Sequence, residues 1–162
     1  MKTVVIGVGN PSRRDHSVGL VVARLLRDHL PESGGVTIKE HWFGGFSLAE
    51  AMVGFDRAIL VDATRTPDGK PGTLSKRSLA HLDGMQTIAA DGEFELSLAM
   101  DSWREAGLRL PTSVEAWGIE ARDTETHGQD LTAPVARGSI AAALAIFSEL
   151  LAAEDAQVKQ AA

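Results

Sequence analysis

Apolar and polar positions along this chain follow two periods, and the places where one gives way to the other mark out its elements. Val4, Val5 and Ile6 form a short continuous apolar run, the pattern of a strand buried on both faces. Gly7 and Gly9 then allow a sharp turn, and Pro11, which has no N–H for a sheet ladder, shows that the strand has ended. Val18, Val21, Val22, Leu25 and Leu26 recur at helical spacing, with Asp15 and Ser17 as candidate caps. The opening unit is therefore strand, polar loop, helix.

The alternation continues. Val36–Glu40 alternates apolar and polar, as an edge strand does. Ser47 is placed to cap a short helix through Met52, with Glu50 at the capping-box position and Gly54 as its stop. Ala58–Val61 is a second buried run, closing on Asp62, and Thr73–Ser75 reads as a short extra strand after a turn rich in Pro and Gly. Leu96, Ala99, Met100 and Trp103 mark one helix face, ended by Gly107. Val114–Ile119 is a third core strand. Pro134 opens a last helix whose expected buried face carries Ile140, Ala143, Leu144, Phe147, Leu150 and Leu151.

This order predicts an α/β fold: a three-layer α/β/α sandwich on a mostly parallel, twisted sheet of about five strands. One domain is expected over residues 1–154, with residues 155–162 a frayed tail. Right-handed crossovers bring the carboxyl ends of the strands to one rim, where ligands of open α/β sheets bind. That rim gathers Asn10, Asp15 and His16, then His41 and Gly44, then Asp62 and Glu120, with 91–93 within reach.

Composition narrows the chemistry. A net charge of -6 argues against a general nucleic-acid surface. The absence of cysteine excludes disulfides, thiolate metal sites and a cysteine nucleophile. The apolar run at the start is too short for a secretory signal, and no run approaches the ~18 apolar residues of a membrane span, so a cytoplasmic protein without a membrane partner is expected. The Gly7-x-Gly9 pair lacks the third glycine of a dinucleotide fingerprint, Ser12 standing there. Neither a G-x-S-x-G elbow nor an HExxH signature is present. A carboxylate ending an apolar strand, as Asp62 does, is a catalytic group, a metal ligand or a cap. His16 and His41 are ligands or solvated loop histidines.

Taken together these residues resemble the hydrogenase maturation protease family, the endopeptidases that trim the C-terminal extension from the large subunit of nickel–iron hydrogenases. The resemblance rests on Gly7-Val8-Gly9-Asn10-Pro11 with Asp15-x-x-Val18-Gly19, on Gly44-Gly45, and on Val61-Asp62-Ala63 with Pro71-Gly72-Thr73. Gly118-Ile119-Glu120 and Leu131-Thr132 extend it over most of the chain. It implies a divalent metal held between a first-loop acid, the aspartate of the third strand and a histidine before the following helix. The metal is the nickel carried by the substrate, with another divalent ion as the alternative.

Only Asp62 matches that set. His16 stands at the first-loop acid and Gly92 at the histidine. One reading is a rearranged site for metal-dependent peptide hydrolysis. There Asp62 and His16 are the catalytic pair and metal ligands, Glu93 or His41 completes the set, and Asn10, Gly44 and Gly45 border the substrate cleft. The other is an inactive family member that binds a hydrogenase subunit as an assembly or regulatory partner. Either implies the large-subunit precursor as partner and a monomer or weak oligomer.

Overall fold

The computed structural model describes residues 1–30, 35–42, 45–78 and 93–161. Its centre is a five-stranded sheet in the order β2-β1-β3-β5-β4. The strands are β1 (Thr3–Val8), β2 (Val36–His41), β3 (Arg57–Thr64), β4 (Leu74–Ser78) and β5 (Ser113–Glu120). β1, β2, β3 and β5 run parallel, and β4 lies antiparallel against β5 at the edge. The expected α/β sandwich with a mostly parallel sheet is what forms. β1 and β3 are buried at every residue, as their continuous apolar runs require, and β2 is the half-exposed edge that its alternation predicts.

Helices α1 (Val18–His29), α2 (Gly45–Ala51), α3 (Glu93–Glu105) and α4 (Ala133–Ala161) cover the two faces. Val4, Ile6, Val8, Ala58 and Leu60 pack with α2 and α3 around Leu48, Met52, Ala99 and Met100. Val5, Ile59, Val61 and Ile119 pack with α1 and α4 around Val18, Val22, Val135 and Ile146. The period of two along each strand thus sorts its residues between two separate cores.

The glycines of the first motif serve this layering more than they serve a turn. Gly7 lies inside β1, not beyond it. A Cβ on Gly7 would run into the carbonyl of Gly19 and the side chain of Ala23; one on Gly19 would run into the carbonyls of Val8 and Val61. Bare backbone on both sides lets the first turn of α1 rest directly on the ends of β1 and β3.

Several expectations need correction. β3 continues to Thr64, so Asp62 sits inside the strand; pairing with β5 persists through Thr64–Glu120 because the Glu120 carboxylate accepts from the Thr64 hydroxyl (3.1 Å) and the Thr66 amide (2.6 Å). α2 begins at Gly45, not Ser47, and the Ser47 hydroxyl meets His41 Nε2 at 2.9 Å. The Asp15 and Ser17 side chains do not cap α1: Ser17 Oγ donates to the Arg14 carbonyl, and Asp15 is committed elsewhere. α4 is helical over Ala133–Ala161, in keeping with its alanine-rich sequence.

The last correction concerns the sides of α4. Val135, Ser139, Ala142, Ala143, Ile146 and Leu150 face inward, whereas Ile140 (54% exposed), Leu144 (63%) and Leu151 (40%) face out. The helix is apolar on both sides, so periodicity alone did not choose between them; alanine and serine let it lie close to the sheet. Its residues Ala133–Ala156, at a mean hydropathy of 1.6, are also long and apolar enough to cross a membrane by length and composition, contrary to expectation. In this fold the inner side rests on the sheet and α1. Glu149 ties it down further through Arg57, and through Lys76 at 2.7 Å.

Gly19→Ala is expected to destabilise the protein by about 1–3 kcal/mol, because the added methyl must push α1 off two backbone carbonyls. Urea unfolding of the variant beside the parent measures this; an unchanged midpoint would contradict the close approach.

Candidate functional site

The register of the sheet places the candidate residues. Val8 pairs with His41 on one side, while Gly7 pairs with Val61 on the other, so His41, Val8 and Asp62 lie in one row at the carboxyl rim. Asp62 falls two residues after Leu60 and so shares its side of the sheet, facing α2 and α3; His41 takes the same side through Val8. The two are separated by two strand spacings, roughly 10 Å between backbones, a gap that a bound group can bridge. Asp62 is 6% exposed, and its Oδ1 accepts from the Ala63 amide at 2.7 Å, which fixes the plane of the carboxylate.

His16 reaches the same rim through the main chain. It lies in a 3-10 turn (Arg14–Ser17), and its carbonyl accepts from the Asn10 amide at 3.2 Å. On the other side of that bend, Gly9 N–H donates to the His41 carbonyl at 3.1 Å. The two histidines therefore bracket the end of β1. The His16 imidazole is half-buried. Burial, and then the positive charge of Arg13, hold it below the ordinary histidine range, against an upward pull from Glu125. The His41 imidazole is pushed down by burial and then by Lys39. Both rings are thus biased toward the neutral, metal-binding form.

Asn10 shapes the first loop: its Oδ1 accepts from the Ser12 amide (2.9 Å) and its carbonyl from the Arg13 amide (3.2 Å). Gly45 is buried, with φ at +59°, at the head of α2. Gly44 and Gly92 lie outside the described residues, as does the side chain of Glu93, whose backbone begins α3. Among the described residues, no three His, Asp or Glu side chains stand close enough to hold a metal ion.

Asp15 is the residue whose role was not legible. It is fully buried. Its Oδ1 accepts from the Thr132 amide (2.7 Å); its Oδ2 accepts from the amides of Arg122 (3.0 Å) and Asp123 (2.8 Å) and from the Thr132 hydroxyl (2.9 Å). The Asp15 amide in turn donates to the Asp123 carbonyl at 3.0 Å. One carboxylate thereby locks the first loop, and His16 with it, onto the segment between β5 and α4. Arg14 adds to the clasp through the Asp130 carbonyl. The signal in the sequence was the Leu131-Thr132 pair before α4, whose partner only the fold reveals.

A cleft of about 710 Å³ opens along the same rim between β3, the 65–73 loop and β4. Thr64, two residues beyond Asp62 on the same face, lines it with Thr66, Ser75, Lys70, Arg77 and Glu120. Trp42 and Phe46 stand exposed near the other end of the rim, Phe46 edge-on to Trp103 with ring centroids 6.4 Å apart.

No family model matches this sequence, and no curated protein sequence does. Solved structures do share its fold. The hydrogenase maturating endopeptidase HybD from Escherichia coli superposes with a TM-score of 0.73 at 22% identity, covering 94% of each chain. The hydrogenase 2 maturation peptidase from Thaumarchaeota archaeon SCGC_AB-539-E09 gives 0.68 at 23% identity, over 93% of this chain and 98% of that one. The [NiFe] hydrogenase maturation protease HybD from Thermococcus kodakarensis gives 0.67 at 22% identity, over 93% and 99%. The chain therefore has the fold of the hydrogenase maturation endopeptidases along nearly its whole length.

Two outcomes are expected of this geometry. Asp15→Ala leaves three amides and a hydroxyl without their acceptor, a loss of about 3 kcal/mol or more in chemical unfolding. Stability also falls as pH drops below 6.5, the ordinary histidine value. Where the folded pKa is depressed, the unfolded chain takes up the proton first and acid favours unfolding. His16→Gln and His41→Gln each flatten that slope; unfolding titrations between neutral pH and the onset of carboxylate protonation read it.

Proposed function

We propose that this protein is an endopeptidase of hydrogenase maturation, acting in the cytoplasm on the C-terminal extension of a nickel-loaded large-subunit precursor. The observation that carries the reading is Asp62: a buried carboxylate at the carboxyl rim, in one row with His41, on the fold of the hydrogenase maturation endopeptidases. Carboxylate oxygen and neutral imidazole nitrogen suit a divalent first-row ion, which can polarise the scissile carbonyl or activate water.

In this reading the nickel arrives with the substrate, and the protein supplies only part of its shell. Asp62 and His16 are the ligands, with His41 or Glu93 completing the set. Bonds from Ala63 and Ser47 hold Asp62 and His41 in orientation before the ion appears. The open cleft past Thr64 suits an extended peptide whose scissile bond lies near Asp62.

A second reading has support of its own. Gly92 and His16 stand where the resembled family carries a histidine and an acid, and the described residues contain no three-ligand cluster. A protein built this way would bind the precursor, as an assembly or regulatory partner, without cutting it.

The purified protein mixed with nickel-loaded precursor distinguishes the two. Under the first reading the extension is released, Asp62→Ala abolishes release, and His16→Ala lowers it. Cleavage undiminished in Asp62→Ala would remove that residue from the mechanism. A stable complex with the precursor left intact would establish the second reading instead.

A further inference from the structure

The outward face of α4 repeats apolar positions that the fold leaves largely uncovered, with only Phe147 of them packing in part against the α1–α4 core. Ile140, Leu144, Phe147 and Leu151 follow one another at intervals of four, three and four, the spacing of a coiled-coil seam. Ile140, Leu144 and Leu151 are exposed, and Phe147 is half-buried. Between them the surface is flanked by Ala141, Ser148 and Ala152, all exposed and uncharged, so a second backbone can approach closely. Beside the seam, Leu25 and His29 of α1 close one wall of a groove of about 250 Å³ that Ile140, Leu144 and Phe147 also line.

The order of these residues names the occupant. The spacing reads the same from either end of the helix. When a copy of the helix is laid antiparallel across it, Ile140 meets Leu151 of the partner subunit and Leu144 meets Phe147 of the partner subunit. Extending the same repeat one step outward on each side reaches Arg137 at one end and Glu154 at the other, and in the antiparallel pair these face each other twice. Neither makes an ion pair within the chain among the described residues. A parallel pair would set arginine against arginine and glutamate against glutamate. We infer that the protein forms a two-fold symmetric dimer through antiparallel pairing of α4 along Ile140, Leu144, Phe147 and Leu151, closed at each end by Arg137 and Glu154.

This dimer is isologous, one patch meeting itself about a two-fold axis, and so ends at two copies. α4 lies on the face of the sheet opposite to the one carrying Asp62 and His41, so both rims stay open. The pairing is independent of the proposed function. A seam confined to one pair of helices belongs at the small end of stable interfaces, which sets the dissociation constant in the micromolar range.

Sedimentation equilibrium of the intact protein across micromolar concentrations tests the inference. A monomer–dimer equilibrium is expected. Leu144→Glu, at a position too exposed to matter for folding, weakens it at least about thirtyfold by placing charge in the centre of the seam. Arg137→Glu and Glu154→Arg each weaken it several-fold, and the double variant restores it, because the two charges have changed places in a pair that only the antiparallel arrangement makes. A protein monomeric throughout, or a dimer indifferent to Leu144→Glu, overturns the inference. So does a dimer that the double charge reversal fails to recover. Co-sedimentation of the monomer with phosphatidylcholine–phosphatidylglycerol vesicles, lost in Leu144→Glu, would overturn it in favour of a lipid surface.

Discussion

The rim of this protein depends on one buried carboxylate that takes no part in the row of candidate ligands. Asp15 accepts from three amides and a hydroxyl of the segment between β5 and α4, and by doing so joins two loops that are more than a hundred residues apart in sequence. A buried charge is costly unless its hydrogen bonds are complete, and here they are complete only when both loops adopt their observed shapes. The position next in sequence, His16, inherits its place from that demand. The negative charge also sits at the start of α4, where the helix dipole favours it. The first loop is therefore fixed by its neighbour across the fold as well as by Gly9, where a Cβ would run into the His16 carbonyl.

The second constraint is distance between layers. Gly7 and Gly19 remove two side chains at the one point where α1 crosses β1 and β3, and the helix settles against bare carbonyls. That contact sets the height of the first loop above the sheet, and hence how near His16 comes to the row formed by His41, Val8 and Asp62. Packing and placement of the rim are in this sense the same event: glycines that read as a turn motif act as a spacer, and the spacer determines which side chains share a rim.

Most of the fold was legible because burial on both faces leaves a plain mark. Val4–Ile6 and Ala58–Val61 carry the pattern of central strands, and Val36–Glu40 that of an edge strand, as the structure bears out. What escaped was decided by partners distant in sequence. Ser47 reads as a cap until His41 is brought to it, and β3 reads as ending at Asp62 until Glu120 engages Thr64. The inner side of α4 is hidden for a different reason. Both of its faces are apolar and its large side chains at Ile140 and Leu144 stand out in the sequence, whereas the close contact with the sheet favours Ala142 and Ser139. Of the candidate site, Asp62 was legible from its place after an apolar run; the pairing of His41 with it needed the register, and Asp15 needed the whole fold.

The sheet divides the molecule into two faces with different physical demands. On the α2–α3 face the rim carries the Asp62 carboxylate and the His41 imidazole, held by hydrogen bonds with the Ala63 amide and the Ser47 hydroxyl. On the α1–α4 face the chain has used Ser139 and Ala142 to bring the helix close, and has left Ile140, Leu144 and Leu151 outside. Large apolar side chains on a helix of this length are not required by the core, which Ala142, Ile146 and Leu150 already fill. They carry a hydration cost that burial against another surface would remove. Their reversal-symmetric order, with opposite charges at the two ends, is a constraint that neither packing against the sheet nor solubility imposes. It is the order that self-pairing requires, and it leaves the rim with Asp62 and His41, on the far side of the sheet, untouched.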